Sequence, residues 1–182
     1  MVPGKKVCAD VVESLLGLIF IFYGLEAAFT VCSEMGITLP RDDDWVSTVT
    51  NYKPKQRLID LSKKFLGNYE FKRQELMEEA FTHPSCIHEV VPCYQRLEWV
   101  GDAVLCIFSR QWAFENYPKL HVAELVIIEA TIVCNETLAY ISMRNRLHQH
   151  LNHRDMSLPS RIENFEFGLK TNGRGLWATG NL

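Results

Sequence analysis

The segment RLEWVGDAVL, residues 96–105, places two carboxylates beside an apolar helical stripe. Glu98 and Asp102 are four residues apart, so both lie on one side of an α-helix. The adjoining stripe, which we expect to face the core, consists of Leu97, Gly101, Val104, Leu105 and Phe108. Two carboxylates at the margin of a buried face repel each other and lose hydration unless a cation compensates. Metal coordination would supply that cation, although the spacing alone favours an exposed acidic helix margin.

A second acidic pair lies near the N-terminus. Asp10 and Glu13 are three residues apart, and the apolar residues around them are Val11, Val12, Leu15 and Leu16. Two carboxylates from each of two helices could hold a pair of hard divalent cations such as Mg²⁺, with Mn²⁺ as a possible substitute. Two such ions about 4 Å apart stabilise the attacking and leaving oxygens in phosphodiester hydrolysis. Periodicity alone leaves an exposed acidic margin as the simpler explanation of either pair.

Helical periodicity extends along most of the chain, and no stretch alternates convincingly as a strand would, so the sequence predicts an all-α fold. The first block contains two helices that break at Gly24, and Gly36 caps the second, residues 25–35. An acidic, proline-bearing stretch at residues 40–48 is typical of a linker. The helices predicted beyond it cover residues 57–66, 71–81, 95–117, 122–145 and 158–167, followed by a glycine-rich loop over residues 168–182.

The composition is that of a folded globular protein. The 182 residues are 47% hydrophobic and 23% charged, and the net charge of −3 argues against a simple electrostatic clamp for nucleic acid. Six isolated cysteines indicate reduced, buried thiols. The uncharged run at residues 14–25 is shorter than the roughly 18 to 20 residues that cross a bilayer, so no membrane association is expected. We expect an intracellular protein, in the nucleus or cytoplasm.

Four segments resemble motifs of the ribonuclease III family. RLEWVGDAVL is similar to the family signature, and the other three are AFTHPSC at residues 80–86, NETLA at residues 135–139 and ADVVESLLG at residues 9–17. The resemblance implies a helical, Mg²⁺-dependent endoribonuclease that cleaves double-stranded RNA and works as a homodimer or as a pseudo-dimer with another ribonuclease III domain. It also implies that the metal-binding and catalytic acids are Asp10, Glu13, Glu98 and Asp102.

The order of these motifs predicts an unusual domain organisation, because the segment with Asp10 and Glu13 normally follows the signature. Residues 5–39 resemble the C-terminal part of a first ribonuclease III domain, residues 40–48 the linker, and residues 49–182 the N-terminal part of a second. Dicer-type enzymes carry two such domains in tandem. One alternative is a circularly permuted domain that joins all four acids in one site, with intermolecular pairing as its variant. Another is an inactive fragment that acts in dimerisation or duplex binding.

Other residues have simpler interpretations. Glu129 stands where the family usually has arginine, which puts efficient cleavage in doubt. A solvated or RNA-facing basic patch is favoured over a zinc site for His148, His150, His153, Arg144, Arg146 and Arg154. We expect His83 to serve packing and capping, and we expect no catalytic partner for Ser85. Trp99 and Phe108 are predicted to be core aromatics.

Overall fold

The computed structural model describes residues 3–37, 55–66, 73–87 and 89–172, which fall into two compact units, Met1–Ser47 and Thr48–Leu182. The regular elements in these ranges are helices, with no strand among them, so the all-α prediction is confirmed. The predicted linker at residues 40–48 lies outside the described residues. Among the helices of the described ranges, none combines the length and the apolar character needed to span a membrane.

The first unit is a helical pair. Helix α1 spans Pro3–Tyr23 and packs against α2, Leu25–Glu34. Gly24 between them has a φ of 83°, and Gly36 after α2 has a φ of 79°. Both angles lie in the left-handed region, where a side chain is costly and glycine is not. The predicted break at Gly24 and the predicted cap at Gly36 are therefore confirmed.

The second unit contains the remaining helices. They are α3 (Gln56–Leu66), α4 (Glu75–Ala80), α5 (Gln95–Asn116), α6 (Val122–Val133), α7 (Asn135–Arg144) and α8 (Leu158–Asn172), with a 3₁₀ turn at Leu147–His150. Helix α5 is the longest and packs against α6 and α4. Its fully buried side chains are Ser109 and Ala113. These are four residues apart, so they define the side of α5 that faces the interior of this unit.

The single helix predicted over residues 122–145 is wrong, because it is two helices. Cys134 between α6 and α7 is extended, with φ −68° and ψ 152°. The Thr137 hydroxyl donates to the Thr131 carbonyl at 2.8 Å, which satisfies a carbonyl left open by the break. Periodicity missed the break because neither glycine nor proline marks it. Three β-branched residues, 131–133, precede it and are weak helix formers.

Two other helix boundaries also differ from prediction. The helix expected from residue 71 begins at Glu75, since residues 73 and 74 are not helical and residues 71–72 lie outside the described ranges. Helix α8 continues through Gly168 to Asn172, where a loop was predicted. A single glycine costs only about 1 kcal/mol in a helix, which a continuing helix tolerates. The rest of that predicted loop, residues 173–182, lies outside the described residues.

Several residues predicted to be buried are exposed. Trp99 is 78% exposed and Phe108 is 60% exposed, and Val104 of the apolar stripe is also exposed, while Leu97 and Leu105 are half-buried. The prediction was wrong because the small residues of α5, rather than its aromatics, face the interior. All six cysteines are free, but only Cys86 is buried and Cys8 is exposed. Within the described part of its unit, α1 has one helical neighbour, so much of its surface stays open.

Candidate active site

The segment before α5 fixes where that helix begins. Thr82 is fully buried, and its hydroxyl donates to the Glu78 carbonyl at 2.8 Å. Its neighbours pair with Asn152 through backbone hydrogen bonds, from Asn152 N to the Phe81 carbonyl at 2.7 Å and from His83 N to the Asn152 carbonyl at 2.9 Å. The Tyr94 amide then donates to the Thr82 carbonyl at 2.9 Å. The start of α5, and with it Glu98, is thereby anchored to the AFTHPSC segment.

His83 closes a turn in this segment. Its Nδ1 accepts from the Ser85 amide at 3.0 Å and lies 2.9 Å from the Ser85 hydroxyl, while its ring meets Tyr94 edge-on at 5.9 Å. The packing and capping role predicted for His83 is confirmed. Ser85 does contact a histidine, which the spacing of the sequence did not reveal. That contact belongs to the turn itself, and Ser85 Oγ also accepts from the Arg154 amide at 2.9 Å.

Glu98 and Asp102 lie one turn apart near the start of α5, as the spacing predicted, and both side chains are exposed. Within the described part of the chain, neither carboxylate forms a hydrogen bond or ion pair with another side chain. The negative charge of Glu98 does affect the ionisation of a nearby tyrosine. The pKa of Tyr94 is raised, first by burial of the phenol and then by the negative charge of Glu98. The pair therefore presents open carboxylate oxygens beside a largely apolar and aromatic surface.

Asp10 and Glu13 share one side of α1 in the first unit. The Lys6 ammonium donates to both carboxylate oxygens of Asp10, at 2.9 and 3.0 Å. These bonds, and then the charge of Asp10, raise the pKa of Lys6, to which Glu13 contributes a smaller attraction. Glu13 is exposed. A cation that binds this pair must displace Lys6 from Asp10, whereas the pair on α5 has no such competitor among the described residues.

The donor set suits a hard divalent cation. Both pairs consist of carboxylates only, and oxygen ligands are those that Mg²⁺ and Mn²⁺ prefer. Each pair is described within its own unit, Glu98 with Asp102 and Asp10 with Glu13. In the described ranges no third acid, histidine or cysteine joins either pair to make a group of three or more. Glu98 and Asp102 are the residues of the second unit that would hold a cation.

Sequence reasoning missed a cross-link between α5 and α6. Arg110 Nε donates to Glu129 Oε1 at 2.8 Å, so the residue flagged for its unusual negative charge is half-buried and neutralised by an arginine of α5. The two residues are nineteen positions apart. Helical periodicity relates residues three or four positions apart, so it does not predict a pair at this separation. The weak signal that the sequence does carry is an arginine and a glutamate of opposite charge on consecutive helices.

The second unit matches the profile of a known protein family, and the match includes α5. The ribonuclease III domain profile matches residues 95–179, a range that begins at the first residue of α5 and contains Glu98 and Asp102.

Curated relatives match most of this chain. It is 36% identical over 170 residues, 90% of its length, to endoribonuclease Dicer homolog 1 of Arabidopsis thaliana. Identity is 33% over 172 residues, 91% of its length, to endoribonuclease Dicer homolog 4 of Oryza sativa subsp. japonica. It is 29% over 174 residues, 89% of its length, to the protein Dicer of Schizosaccharomyces pombe. These alignments cover 9%, 10% and 12% of the relatives, so the chain spans about a tenth of their length.

Proposed function

Because the chain belongs to the ribonuclease III family and is similar to Dicer homologues over about nine-tenths of its length, we propose that it is a metal-dependent endoribonuclease module that hydrolyses double-stranded RNA. The observation that carries this proposal is the pair of open carboxylates, Glu98 and Asp102, inside the matched domain. An acidic pair on one helix side attracts a cation and repels a phosphate. A bound cation is therefore what would allow an anionic RNA backbone to approach these residues.

Glu98 and Asp102 would hold Mg²⁺ or Mn²⁺ in the second domain, and Asp10 and Glu13 would do so in the first. When bound, the ion supplies an activated water and neutralises charge that develops on the phosphate. The chain supplies position. The hydrogen bond from Tyr94 N to Thr82 O anchors the start of α5, and helical geometry holds the second acid one turn from the first.

The proposed partner is another ribonuclease III domain, in a homodimer or a tandem pseudo-dimer. Each domain would cut one strand of the duplex. The similarity to Dicer homologues over most of the chain supports the pseudo-dimer, and the two compact units are compatible with parts of two domains. The proposal also includes an intracellular location, in the nucleus or the cytoplasm.

The test is Mg²⁺-dependent cleavage of a long duplex RNA by the full chain and by single variants. Asp102→Asn and Glu98→Gln keep side-chain shape and remove the charge, so each should lower the cleavage rate at least about 100-fold, the scale on which removal of one electrostatic stabiliser acts in other enzymes. Glu115→Gln is the matched control. Glu115 is an exposed glutamate near the end of the same helix, and its partner is Gln111.

Unchanged cleavage by Asp102→Asn would refute the assignment of this residue. A chain that binds duplex RNA but never cleaves it, with either Mg²⁺ or Mn²⁺, would instead support the rival function, in which an inactive ribonuclease III fragment acts in dimerisation or duplex binding. Thermal unfolding of each variant shows whether lost cleavage reflects lost structure.

A further inference from the structure

A basic segment, residues 144–154, runs from the last residue of α7 into the connection to α8. The sequence RNRLHQHLNHR holds three arginines and three histidines and no acidic residue, in a chain whose net charge is −3. Positive charge concentrated in one segment of an acidic protein creates a local field that attracts anions. The field acts whatever the sign of the net charge, because charges beyond about 10 Å are largely screened at ordinary salt.

Two of the three arginines are available to a ligand. Arg144 and Arg146 are exposed, and within the described part of the chain neither forms an ion pair. Arg154 differs, because its guanidinium meets the Glu89 carboxylate at 3.4 Å. Arg110 and Arg161 are likewise held by acids, Glu129 and Asp155. The free guanidinium groups of this unit therefore include a pair only two residues apart.

The basic segment is also held in place. Asn152 pairs with the backbone on either side of Thr82, and the ring of His150 meets that of Phe81 edge-on at 6.2 Å. His153 Nδ1 lies 3.1 Å from the Asp155 carbonyl oxygen. These contacts fix the segment against the residues that precede α5. A segment whose backbone is already held loses less conformational freedom on binding than a flexible one.

Arg146 occupies a backbone position that favours glycine. It follows the C-cap of α7 with a φ of 59°, and its amide donates to the Met143 carbonyl at 3.0 Å. Among the described non-glycine residues, it alone has a positive φ. Helices commonly place glycine at this site because a side chain there is strained. Strained positions that keep a large side chain often serve a function of that side chain.

We propose that Arg144 and Arg146 bind the phosphate backbone of duplex RNA. The inference rests on the proposed function, which supplies the substrate class, and adds a docking surface that uses neither carboxylate pair. A planar guanidinium donates two parallel hydrogen bonds to a phosphate, and two neighbouring guanidinium groups suit successive phosphates of one strand. Such contacts position a duplex without reading its sequence.

The test measures binding of a fluorescently labelled RNA duplex in EDTA, by anisotropy, between 50 and 200 mM salt. Each lost phosphate contact should lower the salt slope by about 0.9, so Arg144→Gln/Arg146→Gln should lower it by about 2. Over this fourfold salt range, the wild-type affinity should then fall roughly tenfold more than that of the double variant. Arg57→Gln/Lys119→Gln removes the same charge from exposed residues elsewhere and should leave the slope unchanged.

Equal slopes for the wild type and the Arg144/Arg146 variant would overturn the inference, as would an equal loss in the control variant. Arg146→Gly provides a second test if the double variant fails to fold, because glycine adopts the same backbone conformation. It should still lose one phosphate contact, which lowers the salt slope by about 0.9. Cleavage separates the two proposals. If the wild type cleaves duplex RNA and the arginine variants bind it normally, the docking surface alone is wrong. If the wild type binds no duplex, both proposals fail.

Discussion

Carboxylates with similar spacing differ in what meets them. Asp10 accepts two hydrogen bonds from Lys6, whereas Glu98 and Asp102 accept none from other side chains in the described ranges. An exposed ion pair such as that between Lys6 and Asp10 adds little stability. It does, however, occupy the carboxylate oxygens that a cation would use. The sequence alone predicted that each pair of acids lies on one side of a helix. Whether the carboxylate oxygens are open to a cation depends on the conformation of neighbouring side chains such as Lys6, which the sequence does not give.

Arg146→Gly should stabilise the protein. The substitution relieves a left-handed conformation that costs a non-glycine residue about 1 to 2 kcal/mol, and the greater freedom of glycine in the unfolded chain offsets part of that gain. The free energy of unfolding in urea should rise by roughly 0.5 to 1 kcal/mol. Arg144→Gly is the contrasting control, because Arg144 is the last residue of α7 and glycine should lower stability at a helical position. A loss of stability in Arg146→Gly would show that the arginine side chain stabilises the fold.

Helix boundaries in this chain were predicted correctly at the two described glycines with a positive φ and less well elsewhere. The break at Gly24 and the end of α2 at Gly36 follow from the conformational freedom of one residue type. The break at Cys134 has no such marker, and the hydrogen bond from Thr137 to Thr131 that accompanies it spans six residues. The cross-link between Arg110 and Glu129 joins two helices and lies still further beyond local pattern.

The start of α8 should be sensitive to acid. Asp155 precedes this helix, and the hydroxyl and amide of Ser157, with a further contribution from Arg161, hold its pKa below the ordinary value of 3.8. Because the folded pKa is lowered, this stabilisation is fully present above pH 3.8 and is lost as the pH falls through the folded value. Thermal unfolding followed by circular dichroism should therefore show a steeper acid dependence in the wild type than in Asp155→Asn.

Identical acid dependence of the wild type and Asp155→Asn below pH 4 would contradict this role of the Asp155 carboxylate. Glu163→Gln provides a control, because Glu163 is exposed within the same helix. Its removal should leave the acid dependence as it is in the wild type.

Across the described residues, the side chains that are buried are often not the ones that hydrophobicity predicts to be buried. Among the described residues of the second unit, the buried apolar ones are Leu58, Leu61, Cys86, Val91 and Ala113. Large apolar residues of α5 and α6, among them Trp99, Phe108 and Ile127, are exposed instead. Periodicity identifies a helix side but not what covers it, because that depends on residues distant in sequence. For this reason Trp99 and Phe108 of α5 were predicted to be buried, whereas both are exposed.

This division predicts unequal costs for two apolar truncations. Leu58→Ala removes a side chain that is 1% exposed and should lower the free energy of unfolding by about 3 kcal/mol, through lost burial and a residual cavity. Phe108→Ala removes a larger side chain that is 60% exposed, and its cost should stay within about 0.5 kcal/mol, as for surface substitutions generally. Urea unfolding at several protein concentrations measures both. A cost for Phe108→Ala that approaches that of Leu58→Ala would contradict the exposure of this side of α5. If that cost also rose with protein concentration, a second copy of the chain would be what covers Phe108, since association stabilises the folded state by mass action.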